Sequence, residues 1–415
     1  MNKKIFSIIL ALVIVFFVGC SKGNKTSETI TDKEIDKLSF DEIKEKAKGK
    51  TVNFYGYGGD ILRNDFIDKT FIPYVEKNYE IKVNRVAMDI DAINNLLMNE
   101  KQANKPSNVD VVWINGENFY SNKEQGLLYG PFTHKLPNFK KYVDENSDDV
   151  KYDFAYPTEG YEAPYGKAQL VLIYDSEKVP NPPKNLDELR DWIIANPGKF
   201  TYPQMPDFTA SAFFRNVISN LVGYEDFMDN KKDFTEEEII DKIKPAIDYL
   251  NGIKPYLWKE GAVYPKDLGT LNNMYRDGEV YMTMSYNPSA ADAEMEKGNY
   301  PKSTRTFLLD GGMIGNTHFL AIPNGSQNKA AALCMIDAML SFDMQLEKSV
   351  PKILGDMPVF DLNKLSDEEK ARLESVDLGE ATLPFRELTA KRIPEMPAKL
   401  VPQFEKIWEK EILQK

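Results

Sequence analysis

Short β-prone runs alternate with longer amphipathic runs in the first part of the chain, and this alternation most constrains the fold. Residues 51–55, 80–86 and 109–114 predict strands, because their apolar residues are continuous or fall on alternate positions. The segments between them carry apolar residues at helical spacing. Strand, helix, strand, helix, strand is the order of a doubly wound parallel sheet, so the sequence predicts an α/β lobe here.

A second α/β unit begins near residue 163, and the length of the chain favours a second lobe. About 365 residues follow residue 50, more than one hydrophobic core usually holds. We expect two lobes, the first formed by 51–164 with 313–350 and the second by 165–312 with 351–415. Further strands are predicted at 169–174, 199–202, 279–285 and 319–322, and helices at 328–342 and in the charged, proline-interrupted tail 366–415.

The N-terminus carries an export signal. Two lysines precede an apolar run, 5–18, whose helical length of about 21 Å falls short of a hydrocarbon core of about 30 Å. A cleaved signal fits this pattern better than a permanent span. The sequence Phe-Val-Gly-Cys at 17–20 resembles the bacterial lipobox, which predicts a signal peptide at 1–19, a lipidated Cys20 and a tether across 20–50. Ordinary signal cleavage beside an incidental cysteine is the alternative.

The net charge argues against a nucleic-acid-binding protein, and the cysteine content argues against a disulfide-bonded one. The formal net charge of −12 repels nucleic acid and anionic lipid, so we expect no nucleic-acid partner. The two cysteines are Cys20 and Cys334, and lipidation would use the first, so no disulfide is expected. Cys334 lies in an apolar helical run and is interpreted as a buried structural thiol.

Several segments resemble the family 1 extracellular solute-binding proteins of bacteria, which include the maltose-binding type. They are EAPYGKAQLVLIYD at 162–175, DGEVYMTMSYNP at 277–288 and HFLAIP at 318–323. Within the family the chain is similar to the YnjB-type group, on YGGD at 57–60, NGEN at 115–118, FTASAF at 208–213 and GNTHF at 315–319.

The resemblance implies a periplasmic-binding-protein-like fold of type II, in which two doubly wound α/β lobes are joined by a hinge and hold a ligand in the cleft between them. It also implies the substrate-binding component of an ABC importer, a monomer without a cofactor that delivers a solute to a permease and its ATPase. Its place would be the extracytoplasmic face of the cell membrane, lipid-anchored, or the periplasm where an outer membrane exists. Hinge positions are expected at 165–167 and 311–315, where glycines permit a change of dihedral angle.

Candidate ligand residues follow the predicted strand ends, the crossing segments and one helix start. Asp60 and Glu117 could neutralise a ligand cation or only cap helices, and Thr209 could cap its own helix. The tyrosines and Trp258 could instead be packing residues, and Lys167 could be merely solvated. The candidate ligand-binding residues are Tyr57, Gly59, Asp60, Asn115, Glu117, Tyr165, Lys167, Thr209, Ser211, Trp258, Tyr286, Asn287 and Asn316.

Acidic side chains, helix-start donors and aromatic rings together suit a small polar organic solute with a ring and at least one charge. A thiamine- or polyamine-like cation is the first expectation and a sugar the second.

An exported hydrolase and a ferric-ion-binding protein of the same architecture are the alternatives. Neither His134 nor His318 belongs to a metal-binding spacing, and the sequence contains no Gly-x-Ser-x-Gly or Walker motif. Ferric-ion binders of this architecture often carry a Tyr-Tyr pair late in the chain, and this sequence contains none. The sequence therefore favours a binding protein, without a metal site, over an enzyme.

Overall fold

The computed structural model describes residues 31–415. The predicted signal peptide and Cys20 lie outside the described residues. Within 31–415, no helix is long and apolar enough to cross a membrane.

Twelve strands are present in the part of the chain that the structure describes. In chain order they are β1 (Thr51–Gly56), β2 (Lys82–Ala87), β3 (Val111–Ile114), β4 (Leu128–Tyr129), β5 (Tyr152–Asp153), β6 (Tyr156–Pro157), β7 (Glu162–Gln169), β8 (Val171–Asp175), β9 (Met282–Ser285), β10 (Thr304–Phe307), β11 (Met313–Pro323) and β12 (Arg392–Pro394).

The α-helices are joined by short 3₁₀ turns and by π-helical turns at Ile67–Phe71 and Glu409–Leu413. In chain order the α-helices are α1 (Asp32–Ile35), α2 (Phe40–Ala47), α3 (Ile61–Phe66), α4 (Ile72–Tyr79), α5 (Ile90–Gln102), α6 (Glu117–Glu124), α7 (Pro137–Tyr142), α8 (Asp148–Lys151), α9 (Leu186–Ala195), α10 (Phe208–Val222), α11 (Glu236–Ile253), α12 (Leu268–Arg276), α13 (Ala290–Glu296), α14 (Lys329–Met339), α15 (Phe342–Ser349), α16 (Asp367–Glu374), α17 (Phe385–Ala390) and α18 (Val401–Trp408).

The first lobe is built on a seven-stranded sheet. Strands β2, β1 and β3 lie side by side and parallel, as the sequence predicts, and β11 runs antiparallel to β3. Strands β4, β7 and β12 each pair with β11. Val52 and Val111 are fully buried because helices cover both faces of the parallel part.

The second lobe is built on a smaller sheet of three strands, in the order β10-β8-β9. Both pairings are antiparallel, so this sheet differs from the parallel, doubly wound sheet expected for each lobe. The α/β class and the type II binding-protein architecture are confirmed. Helices α10 and α11 cover the sheet through a large apolar core that includes Phe213, Val217 and Leu250.

Two expected segments differ from the sequence prediction. Residues 199–202 form no strand, although their backbone is hydrogen-bonded: the carbonyls of Lys199 and Phe200 accept from Tyr281 and Trp258. The span expected as a tether, 20–50, contains α1 and α2, whose Ile43 and Ala47 are fully buried against the first lobe. Its described part therefore belongs to the folded body, because a flexible tether would leave these apolar residues in water.

Candidate ligand-binding site

The two lobes are joined by a pair of antiparallel strands. Strands β7 and β11 pair from Gly315 opposite Gln169 to Ala321 opposite Glu162, with a bulge between His318 and Phe319. A single residue, Leu170, separates β7 from β8 of the second sheet. The predicted hinge segment 311–315 includes the start of β11, a place where a few dihedral changes can rotate one lobe against its partner, whereas 165–167 lies in the interior of β7.

The tail provides a third connection, which the sequence did not predict. Strand β12 pairs in parallel with β11, and Met313 lies opposite Arg392. The helices on either side of β12 pack into the second core through Leu388 and Phe404, both fully buried. The tail thus leaves the second lobe, adds one short strand to the first sheet and returns.

A crevice made of three adjoining cavities lies beside these connections. An outer cavity of about 1030 Å³ lies between α6 and the β5–β6 hairpin on one side and residues 230–233 and 398–399 on the other. A narrow inner crevice of about 20 Å³ adjoins it and shares Asp153 and Phe154. A rear cavity of about 1070 Å³ shares Asp149 with the inner crevice. Both lobes line the outer cavity and the inner crevice.

The outer cavity combines aromatic rings with carboxylates. Tyr120 and Tyr156 are in edge-to-face contact with their ring centroids 4.8 Å apart. Glu117 and Glu124 lie on the same wall, and the Tyr156 hydroxyl donates to Glu124. The ammonium group of Lys123 is already bound, since it donates to the carbonyl of Pro157 at 2.7 Å and to a Glu159 carboxylate oxygen at 2.8 Å. This wall suits a flat or positively charged group.

The β5–β6 hairpin holds an aromatic ring in the crevice at a cost in backbone energy. Its two loop residues, Phe154 and Ala155, have φ of +45° and +61°. Positive φ at both central residues is typical of a type I′ turn, where Asn-Gly is usual, and each non-glycine residue costs about 1–2 kcal/mol. Phe154 lines both the outer cavity and the inner crevice. Such strain is often found at functional sites.

Asp153 is a buried carboxyl group that lines both the outer cavity and the inner crevice, and the charge of Asp153 acts on a second buried carboxyl group, Glu162. Asp153 accepts a hydrogen bond from the Gly116 N–H at 2.5 Å, and the Glu162 carboxyl has no hydrogen-bond partner among the described residues. Burial raises the pKa of both acids well above their ordinary values, and for Glu162 the charge of Asp153 adds to the effect. Burial therefore favours the neutral, protonated form of both groups.

A hydrogen-bonded network from the second lobe ends at the inner crevice. Glu395 lines the crevice and accepts from Arg215 at 2.9 and 3.1 Å and from the Tyr286 hydroxyl at 2.6 Å. Arg215 also donates to the Ser211 hydroxyl at 2.6 Å. The network places a carboxylate at the crevice whose charge Arg215 already balances.

Five of the predicted site residues lie at or next to the cavities. Asn316 lines the inner crevice, Glu117 the outer cavity and Lys167 the rear cavity. Tyr286 and Ser211 reach the inner crevice through the Arg215–Glu395 pair. The structure thus brings together side chains from five separate segments of the sequence.

The other predicted residues lie away from the three cavities. Asp60 caps α3 and pairs with Arg63, and Tyr165 is buried in contact with the same guanidinium. Tyr57 is 56% exposed and lies against Gly59.

At the start of α10, the Asp207 carboxylate accepts from the backbone N–H groups of Thr209 and Ala210. Trp258 packs on the apolar core of the second lobe. The Asn287 side chain accepts a hydrogen bond from the backbone N–H of Ser289. Asn115 directly follows β3.

Sequence reasoning missed Asp149, Phe154, Arg392 and Glu395. The first two lie in a stretch without apolar periodicity, and the last two lie in the tail, which predicts only helices. A weak signal was present in residues 392–397, Arg-Ile-Pro-Glu-Met-Pro, because prolines three positions apart do not fit a helix interior. Among residues 31–415, no group of three or more His, Cys, Asp or Glu residues could hold a metal ion.

The sequence and the fold are similar to those of known proteins. Protein YnjB of Escherichia coli is 35% identical over 340 residues, which cover 81% of this chain and 86% of YnjB. The cyclic α-maltosyl-1,6-maltose binding protein of Arthrobacter globiformis superposes with a TM-score of 0.64 at 15% identity, covering 87% of this chain and 94% of that one. An ABC transporter substrate-binding protein of Bradyrhizobium japonicum gives 0.57 at 17% identity, covering 88% of this chain and 100% of that one.

The family model for bacterial extracellular solute-binding proteins matches residues 70–370. This match and the similarity to YnjB confirm the family resemblance seen in the sequence. The chain belongs to the bacterial extracellular solute-binding protein family.

Proposed function

We propose that this protein is the substrate-binding component of an ABC importer, which captures a small polar organic solute outside the cytoplasm and delivers it to a permease and its ATPase. The crevice lined by both lobes beside β7, β11 and β12 carries this proposal. The similarity in fold to an ABC transporter substrate-binding protein supports it.

Capture would proceed by closure of the lobes. A ligand that touches α6 and the β5–β6 hairpin on one side and residues 230–233 or 398–399 on the other makes more contacts when the lobes are together. That difference in binding free energy between open and closed states is what drives closure. The permease would then recognise the closed form, and the protein does no chemistry on its solute.

The ligand class follows from the lining of the outer cavity. Tyr120, Tyr156 and Phe154 offer flat surfaces, and Glu117 and Glu124 offer negative charge, so a thiamine- or polyamine-like cation is our first candidate. A sugar is the second candidate, supported by the fold similarity to a cyclic maltosyl-maltose binding protein.

The predicted lipid anchor completes the proposal. Lipidation of Cys20 would hold the protein at the outer face of the membrane, and the segment before α1 would act as the tether. Membrane fractionation of cells that express wild type or Cys20→Ala tests this: the wild type should sediment with membranes and the variant should be released. Equal membrane association of the two proteins would contradict the anchor.

A thermal-shift screen with thiamine, putrescine, spermidine and maltose, followed by a metabolite library, tests the binding function. A ligand at about 100 times its dissociation constant should stabilise the protein by about 2.7 kcal/mol. Small-angle scattering should show a smaller radius of gyration with that ligand. For a cationic ligand, Glu117→Gln combined with Glu124→Gln should weaken binding about 10-fold. The exposed control Glu177→Gln should leave binding unchanged. A library without any stabilising solute would refute the proposed function.

A further inference from the structure

Arg392 is a buried cation that contacts one carboxylate, Asp149, which it shares with Lys167. Its side chain is 3% exposed, and its three guanidinium nitrogens have no hydrogen-bond partner among the described residues. A carboxylate oxygen of Asp149 forms an ion pair with Nη1, which leaves Nε and Nη2 without a carboxylate in the described chain. The other oxygen of Asp149 is held by the Lys167 ammonium at 2.9 Å.

In the other two buried arginines of the described chain, the guanidinium is paired with a carboxylate. Arg63 donates to both carboxylate oxygens of Asp356 at 2.7 and 2.9 Å. Arg215 donates to both oxygens of Glu395 at 2.9 and 3.1 Å. Each guanidinium therefore has a bidentate carboxylate, the geometry that best offsets the loss of hydration of a buried charge. Arg392 lacks this arrangement within residues 31–415.

None of the described acids around Arg392 forms a hydrogen bond with its Nε or Nη2. Arg392 and Lys167 contribute two cations, and Asp149 contributes one anion shared between them. Glu395 is balanced by Arg215, and burial favours the protonated form of Asp153. Asp148 also lines the inner crevice and Asp361 acts on Lys167, but no hydrogen bond joins either acid to Arg392.

The neighbours of Arg392 offer further hydrogen-bonding groups. Asn316 Oδ1 and Thr317 Oγ1 are buried without a hydrogen-bond partner among the described residues, and both side chains line the inner crevice with Arg392. Gly315 lies where the guanidinium crosses β11, because a Cβ there would be 2.5 Å from Arg392 Nε. The Thr317 hydroxyl and the guanidinium can both donate to a carboxylate, whereas Asn316 Oδ1 can only accept.

We propose that Arg392, with Thr317, binds a carboxylate group of the transported solute. This inference rests on the proposed function and refines its ligand class from a simple cation to a solute that carries both a carboxylate and a positively charged or aromatic part. The inner crevice has room for a small group only, and it shares Asp153 and Phe154 with the outer cavity. The carboxylate would lie in the inner crevice and the rest of the solute beside the rings and acids of the outer cavity.

Matched ligands test the inference on the full-length protein without any mutation. The probes are the ω-amino acids of three to six carbons, aromatic amino acids, and the amide and the decarboxylated amine of each, measured by thermal shift and isothermal titration calorimetry beside the metabolite library. Solutes that bind should carry a carboxylate, and conversion of that group to an amide should weaken binding about 100-fold, since a charged hydrogen-bonded pair is lost.

Variants locate the carboxylate within the protein. Arg392→Gln should remove the preference for the carboxylate over its amide, and Arg392→Lys should keep part of it. Arg372→Gln is the matched control, because Arg372 is exposed and pairs with Asp343 on the surface. Circular dichroism checks that each variant folds. If Arg392→Gln does not fold, the comparison of carboxylate with amide on the wild type still decides whether binding depends on the carboxylate.

The outcomes separate the two proposals. Tight binding of solutes that lack any carboxylate, equal for wild type and Arg392→Gln, would overturn the role of Arg392 and leave the proposed function standing. Binding of no solute at all by the wild type would refute the proposed function and this inference with it. Carboxylate-dependent binding lost in Arg392→Gln and kept in Arg372→Gln is the expected result.

Discussion

Replacement of Asp356 by asparagine should destabilise the first lobe strongly. Asp356 lies behind strand β7 and accepts two hydrogen bonds from Arg63, and the two side chains are each 7% exposed. Lys348 Nζ is 3.8 Å away. The substitution keeps the shape of the side chain and removes its charge, so Arg63 would retain only Asp60, at 3.2 Å, as an ionised partner.

Two independent lines give the size of the effect. Breaking a buried ion pair costs about 3–5 kcal/mol when one charge is left uncompensated. Burial acts to raise the pKa of Asp356, but Arg63 and Lys348 outweigh it and lower the pKa to about 2 from 3.8. A difference of 1.8 pH units corresponds to about 2 kcal/mol of stability from the ionised form. We therefore expect a loss of about 2–4 kcal/mol at pH 7.

The sign of the pH dependence follows from the lowered pKa. The contribution of Asp356 is fully present above pH 4 and is lost as the pH falls through about 2, so the difference between wild type and Asp356→Asn should shrink in that window. Urea unfolding followed by tryptophan fluorescence measures it, since Arg63 lies 4.9 Å from the ring centroid of Trp113. Asp343→Asn, an exposed ion-pair partner, is the control and should cost less than 0.5 kcal/mol. A loss below about 1 kcal/mol for Asp356→Asn would refute the reasoning.

Two further predictions concern single residues. Glu80 is exposed and ends α4 with φ of +56°, so Glu80→Gly should raise the urea midpoint by the equivalent of about 1 kcal/mol, whereas Glu76→Gly inside the helix should lower it by a similar amount. If the urea midpoints of the two glycine variants shift in the same direction, the reasoning about Glu80 is wrong. Burial, with a smaller effect of Arg63, lowers the pKa of His318 to about 3. The unfolded chain therefore binds a proton below pH 6.5 that the folded chain excludes. The free energy of unfolding should decrease as the pH is lowered from 6.5 to 3. His318→Gln should flatten this fall more than His134→Gln, an exposed control, and equal slopes would refute the assignment.

The strands and helices of the first lobe were predictable because their signals are local. Residues 51–55 and 80–86 carry continuous or alternating apolar residues, and the structure has β1 and β2 there, shifted by one or two residues at their ends. Residues 199–202 have the same β-prone composition and form no strand, because their carbonyls accept from two separate segments, at Tyr281 and Trp258, and not from one partner strand. Composition favours an extended backbone, but pairing decides whether a strand forms.

The candidate site was predictable only where it follows strand ends or the family resemblance. Glu117 and Asn316 were found in this way, and both line the crevice. Arg392 could not be found from local pattern, because its burial depends on a three-residue strand that pairs with a segment far away in the sequence. The positive φ of Phe154 likewise depends on the hairpin that holds it, since no local residue type signals a turn of this kind.

Strand β12 also limits how far the protein can be shortened from its C-terminus. A chain that stops before Arg392 would leave the start of β11 without its neighbour and would remove Phe404, Ile407 and Trp408, all fully buried, from the second core. Ile412 is buried as well, so even the last turn contributes to packing. Reporter groups or affinity tags therefore belong beyond Lys415 on a linker, and any truncation intended to preserve folding has to spare the whole tail.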